Sequence, residues 1–172
     1  MIKFIISAII AVSFTTLFYD FSINDIDGNT VNFSQFEGKK VLIVNTASSG
    51  EYVSQYKDLE ELYQKFKDSL VIIAVPSNSF GSEANDNGQI KSFLASNYDL
   101  HYLIAEKSVV SGDGQSPLFS WLTHIEENQM LNNPVDGDFH KYLVNSSGLL
   151  IGTFAPSVNP MSKEIQTAIL QQ

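Results

Sequence analysis

The sequence predicts a single α/β domain: a central mixed β-sheet flanked by helices, with a β-hairpin at its N-terminal end. Three observations carry this reading. Val41–Val44 and Leu70–Val75 are unbroken apolar runs rich in β-branched residues, as expected for strands covered on both faces. Between them, Tyr56, Leu59, Leu62, Tyr63 and Phe66 recur at helical spacing, with charged residues filling the opposite face. Asp27-Gly28 and Asn145–Gly148 each interrupt short apolar segments in the manner of a hairpin turn. The full order, β-β-β-α-β-α-β-α-β-β-α, has no repeat and no linker, and 172 residues can bury a proper core.

Taken in order, Met1–Ser13 shows one lysine, a short apolar core and small residues at Ala11, Val12 and Ser13. This is the pattern of a secretory signal peptide, 1–13, removed to leave a domain of residues 14–172. Its uncharged stretch ends at Asp20, short for a membrane span of about 20 residues, so the mature chain is expected to be exported (periplasmic or extracellular) and soluble. Phe18–Ile23 and Thr30–Phe33 form the first hairpin. The Asp25–Asn29 string between them has its glycine out of place for a calcium loop, and Phe36 stands where such a loop needs glutamate. Ser34–Gly38 is a turn into the Val41 strand, and Ser54–Lys67 is an amphipathic helix. After Leu70–Val75, closed by Pro76, come a polar loop at Ser77–Gly88, a helix at Ile90–Asn97 and a strand at His101–Ile104. Ser116-Pro117 opens the helix Leu118–Thr123. A polar connection, Glu126–Asp138, leads to the second hairpin, Tyr142–Val144 with Leu149–Ile151. Asn159-Pro160 supplies a cap and first-turn proline for the last helix.

Composition narrows the chemistry. A net charge of −9 argues against nucleic acid and anionic membranes as partners. Every basic residue among the ten is lysine, so the bidentate forks that best hold carboxylate or phosphate are missing. There is no cysteine, which excludes disulfides, thiol catalysis and thiolate metal sites. No cofactor is expected, and a monomer is the default.

The stretch of most chemical interest is Val41–Tyr56, where a strand breaks into small polar residues ahead of a helix. Such loops favour anions and lower the pKa of a thiol placed there. This one contains no thiol. Val44, Asn45, Ala47, Ser48, Gln55 and Tyr56 resemble, without a gap, the V-N-x-A-S-x-C-G-x-x-x-Q-Y signature of the glutathione peroxidase family, a branch of the thioredoxin-like fold. Val75–Gly81 is similar to the family's F-P-C-N-Q-F-G, Ser116–Leu122 to its H-P-L-[FY]-x-W-L, Gly137–Val144 to its W-N-F-x-K-[FY]-L-V, and Phe154–Pro156 to its F-A-P. The resemblance runs from about Tyr19 to Ile169. It implies a thioredoxin-like fold and a family reaction, thiol-dependent hydroperoxide reduction in the oxidative-stress response.

The same resemblance assigns the family's peroxidatic Cys or Sec, glutamine, tryptophan and asparagine to Gly50, Ser79, Gly137 and Asp138. Its usual resolving cysteine falls near Leu94, and the extra cysteine of F-P-C-N falls on Ser77. The scaffold residues match and the chemical ones do not. A glycine cannot form the sulfenic acid through which a peroxidatic thiolate cycles. The expectation is a family member without the thiol peroxidase reaction, binding a small molecule or a protein. Two other chemistries have residues of the right type. Ser49, His140 and Asp138 are those of a hydrolase triad, but no G-x-S-x-G is present. Asp136, Asp138 and His140 alternate and would share one side of an extended segment, a candidate metal site for peroxide turnover by a non-thiol route. Solvated loop charges are the simpler reading of those three. His101 and His124 are read as ordinary polar residues, and Trp121 as packing.

Overall fold

The computed structural model describes residues 17–83 and 85–171. The expected signal peptide, 1–13, lies outside the described residues. The N-terminal hairpin pairs β1 (Ser22–Asn24) with β2 (Thr30–Asn32) antiparallel. Gly28 turns it at φ +84°, and Asp25 Oδ1 accepts from the backbone N–H groups of Asp27 and Asn29. Phe18–Asp20 is a 3₁₀ turn rather than the start of the strand, because Asp20 folds back to accept from Leu17 N.

The main sheet has five strands in the order β5-β4-β3-β6-β7. Its centre is β3 (Lys40–Thr46), parallel to β4 (Leu70–Pro76) and antiparallel to β6 (Lys141–Val144). The edges are β5 (Leu103–Ile104), parallel to β4, and β7 (Leu150–Phe154), antiparallel to β6. This is the mixed sheet with flanking helices that the sequence predicts.

Strand alternation divides the core. Val41 and Ile43 face one side with Phe18, Phe33, Phe119 and Trp121, while Leu42 and Val44 face the other with Tyr56, Leu59, Leu62 and Phe139. Trp121 lies between Phe18 and Phe21, at ring-centroid distances of 5.5 and 6.1 Å. The second layer is built by α1 (Gln55–Phe66), α2 (Asn87–Asn97) and α5 (Lys163–Leu170); α3 (Pro117–Thr123) covers the first.

Two helix starts differ from the sequence reading, each because of a side-chain cap. Asp86 Oδ1 accepts from Gln89 N at 2.9 Å while Gln89 Oε1 accepts from Asp86 N at 3.0 Å, so α2 begins at Asn87. The last helix is capped by Ser162, which accepts from Ile165 N, and Asn159-Pro160 forms the turn before it. The polar connection also holds a four-residue helix, α4 (Ile125–Asn128). Asp86→Ala is expected to cost about 1 kcal/mol, read as a lower urea midpoint at unchanged slope.

Candidate functional site

The loop after β3 runs over the carboxyl end of the sheet and reaches α1 through a turn at residues 51–54. Gly50 lies in the exposed part of this loop at φ +102°, a backbone region that side chains other than glycine rarely adopt. A Cβ built there meets Ser82 Oγ at 3.4 Å. Ser82 therefore stands against the position where the family's reacting atom would be, with Glu83 next to it in the chain. They also hold the loop in place. Ser49 Oγ donates to Ser82 O at 2.7 Å, and Ser48 donates to Glu83 Oε2 from its N–H at 2.7 Å and its hydroxyl at 2.5 Å. Glu83 is completely buried, and its own N–H donates to Asn78 Oδ1.

The other assigned positions are arranged around this core. Ser79 Oγ is turned toward the neighbouring loop, where it accepts from Val110 N at 3.1 Å and Ser111 N at 3.3 Å and meets Ser77 Oγ at 3.0 Å. It borders a cleft of about 280 Å³ lined by Ser77, Asn78, Lys107, Ser108 and Ser111. Gly137 presents its carbonyl to Asn45 Nδ2 at 3.1 Å, and a Cβ there would come within 3.2 Å of Pro156 Cγ. Asp138 is half-buried. Burial pushes its carboxyl pKa up, the Ser82 hydroxyl opposes that, and the nearby Glu83 charge adds to the rise. Leu94 is buried in the core on α2.

The three alternating residues do not come together. Phe139 takes φ +68° and breaks the extended geometry that would place them on one side. Asp138 turns toward Ser82 and Glu83, while His140 pairs with Asp136 at 2.5 Å between Nδ1 and Oδ1. Among the described residues no three His, Cys, Asp or Glu side chains are grouped to hold a metal. The hydrolase trio is likewise separated, because Ser49 is bonded to Ser82 and His140 is engaged elsewhere.

His140 is instead a buried clamp. A carboxylate only accepts, so Nδ1–H donates to Asp136 and Nε2 accepts from Thr153 Oγ1 at 2.6 Å; Thr153 Oγ1 in turn accepts from Asn133 Nδ2 at 2.5 Å. The line ties the 133–140 segment to β7. Burial pushes the imidazole pKa down, and Asp136 opposes the shift. Sequence reasoning did not single out Ser82, Glu83 or Thr153. A glutamate in a polar loop carries no mark of burial, and the partners of Thr153 are remote in sequence.

The β3–loop–α1 unit at the carboxyl end of a mixed sheet defines a thioredoxin-like protein. A thiol:disulfide interchange protein of Chlorobium tepidum, described as thioredoxin family, shares the fold at a TM-score of 0.64, with 13% identity over 92% of this chain and 99% of the other. The chain belongs to the glutathione peroxidase family, whose sequence profile, "Glutathione peroxidase", matches residues 18–123. A "Glutathione peroxidase-like peroxiredoxin GPX5" of Chlamydomonas reinhardtii is 39% identical over 147 residues, 84% of this chain and 90% of its own. The crystal structure of Trgpx in apo form aligns at a TM-score of 0.70 and 32% identity, over 90% of this chain and 94% of that one.

Proposed function

We propose that this chain is an exported member of the glutathione peroxidase family that does not carry out thiol peroxidase chemistry and acts by binding. The observation that carries this reading is Gly50: no chalcogen stands at the family's reacting position, and the chain contains no cysteine to supply one from elsewhere. Hydroperoxide reduction by this route needs an atom that attacks oxygen and returns to its reduced state. A serine hydroxyl does neither without an activating base and an oxidised state to cycle through. Ser49, the nearest hydroxyl in sequence, donates to a backbone carbonyl rather than facing a base.

Binding is supported by what replaces the chemistry. The Gly50–Ser79–Asp138 surface carries an exposed glycine at Gly50 and, beside Ser79, a cleft bordered by Asn78, Lys107, Val109 and serines. Its ligand is a small molecule or a protein segment that packs on Val109 and meets the hydroxyls and Lys107 beside it. Export rests on the lysine, apolar core and small residues of Met1–Ser13. N-terminal sequencing of the protein recovered outside the cytoplasm is expected to begin at Phe14; recovery of the intact Met1 terminus from the cytoplasm would refute export.

The activity is tested by coupling reductant oxidation to hydroperoxide removal, using glutathione and then thioredoxin as donors. Rates equal to those of a heat-killed sample are expected with hydrogen peroxide and with a lipid hydroperoxide. Saturable turnover with either donor would overturn the proposal.

A further inference from the structure

A cavity separate from the Gly50 site lies where the N-terminal hairpin meets the start of α3. It encloses about 180 Å³, and Phe21, Val75, Ala105, Leu118 and Phe119 form its apolar wall. Gly50, Ser79, Gly137 and Asp138 take no part in it; only Ser108 also borders the cleft beside Ser79.

The fold makes this space by fixing both of its sides. Ala105 N donates to Ala74 O at 2.8 Å, which fastens the segment after β5 to β4. Glu106 N then donates to Asn24 O at 3.0 Å, and Ile26 N to Ile104 O at 2.9 Å, so the hairpin is stitched to that same segment. On the other side, Leu118 and Phe119 are held in the core by α3. Small side chains at Ala105, Ser108 and Ser116 leave the gap between them unfilled.

The polar groups around the cavity are few and specific. Glu106 is the one charged residue that borders it. Asn24 Nδ2 donates to Glu106 Oε1 at 3.3 Å and so restrains the carboxylate. Among the described residues, Glu106 joins none of the ion pairs, which are Lys91 with Asp27, His101 with Glu60 and Asp99, and His140 with Asp136. Ser116 stands before α3 without capping it, so its hydroxyl is free as well. An apolar wall with a few convergent polar groups is the ordinary make-up of a small-molecule site.

These features select the ligand. An apolar cavity of about 150 Å³ takes up benzene, so this one holds a single ring with a short arm. The half-buried carboxylate without a counter-charge calls for a cation, and an ammonium gives it a charge-assisted hydrogen bond. No lysine borders the cavity, so a ligand that also carries a carboxylate, such as an aromatic amino acid, would place a second negative charge near Glu106 with nothing to offset it. We propose that the cavity between the N-terminal hairpin and α3 binds a small aromatic primary amine, with its ring against Phe21, Leu118 and Phe119 and its ammonium donating to Glu106. This goes beyond the reading of the Gly50 surface and does not depend on it, since the two share no charged residue.

The full chain is titrated with benzylamine by calorimetry, and in parallel through the emission of Trp121, the only tryptophan, whose ring lies 6.1 Å from that of Phe21. Saturable binding is expected with a Kd on the order of 1 mM or tighter. Benzyl alcohol, which lacks the charge, and phenylalanine, which adds a carboxylate, are each expected to bind about tenfold more weakly. Glu106→Gln should reduce benzylamine to the affinity of benzyl alcohol, and Ala105→Leu should abolish binding of both by filling the space. Absence of saturable binding up to about 20 mM benzylamine would overturn the proposal. Equal affinity for benzylamine and benzyl alcohol, or unchanged benzylamine affinity in Glu106→Gln, would overturn it equally.

Discussion

Gly50→Cys is expected to yield a protein that still fails to reduce hydroperoxides catalytically. The backbone at position 50 has φ +102°, where any side chain is strained by about 1–3 kcal/mol. The new Cβ would lie 3.4 Å from Ser82 Oγ, so the thiol enters a place that Ser82 already borders. The negative charges of Glu83 and Asp138 raise the thiol pKa above its free value of about 8.5, leaving little thiolate at neutral pH. Ser79 is held at the neighbouring loop, where its oxygen accepts from Val110 N and Ser111 N, and Gly137 has no side chain to offer. Thiolate absorbance against pH and urea unfolding measure these terms directly. The expected results are a thiol pKa above about 8.5, a stability loss of about 1–3 kcal/mol and a peroxide rate no greater than that of a free thiol. A thiolate already formed at neutral pH, with rapid turnover, would show that the site is vacant rather than remodelled.

The second large effect concerns Lys141, which is completely buried on β6 and donates to Phe139 O at 2.6 Å and to Pro156 O at 3.3 Å. Burial pushes its pKa down to about 7. In the unfolded chain a lysine keeps its proton up to about pH 10.4. Between these values the unfolded state binds more protons than the folded state, so stability must rise as pH increases from about 7. Below that pH both states are protonated and Lys141 adds no slope. Buried Tyr56, Tyr102 and Tyr142 act in the opposite sense: their raised pKa values make folding less favourable once the unfolded phenols ionise above about pH 10. Urea midpoints from pH 7 to 9.5 are therefore expected to climb, and Lys141→Met to remove most of the climb (roughly one proton's worth). Equal slopes in the two proteins would show that Lys141 keeps its charge when folded.

Much of the fold was legible because it depends on local pattern. Val41–Val44 and Leu70–Val75 announce their burial by composition, and the spacing of Tyr56, Leu59 and Leu62 announces α1. The helix starts were less legible. Asn159-Pro160 has the chemistry of a cap, yet Ser162 provides it, since the choice depends on how the chain leaves β7. At the site, the sequence identified the missing groups and could not identify their replacements. That Gly50 takes φ +102°, that Phe139 turns Asp138 away from Asp136 and His140, and that Glu83 is buried are all consequences of tertiary packing.

The most direct test of a scaffold without its reacting atom is to count turnovers. Purified protein, cleared of contaminating thiols, is supplied with a large excess of hydrogen peroxide and dithiothreitol, and peroxide is followed to completion. Loss of peroxide no faster than with dithiothreitol alone is the expected result. Protein-dependent removal of many peroxide equivalents per chain would contradict it.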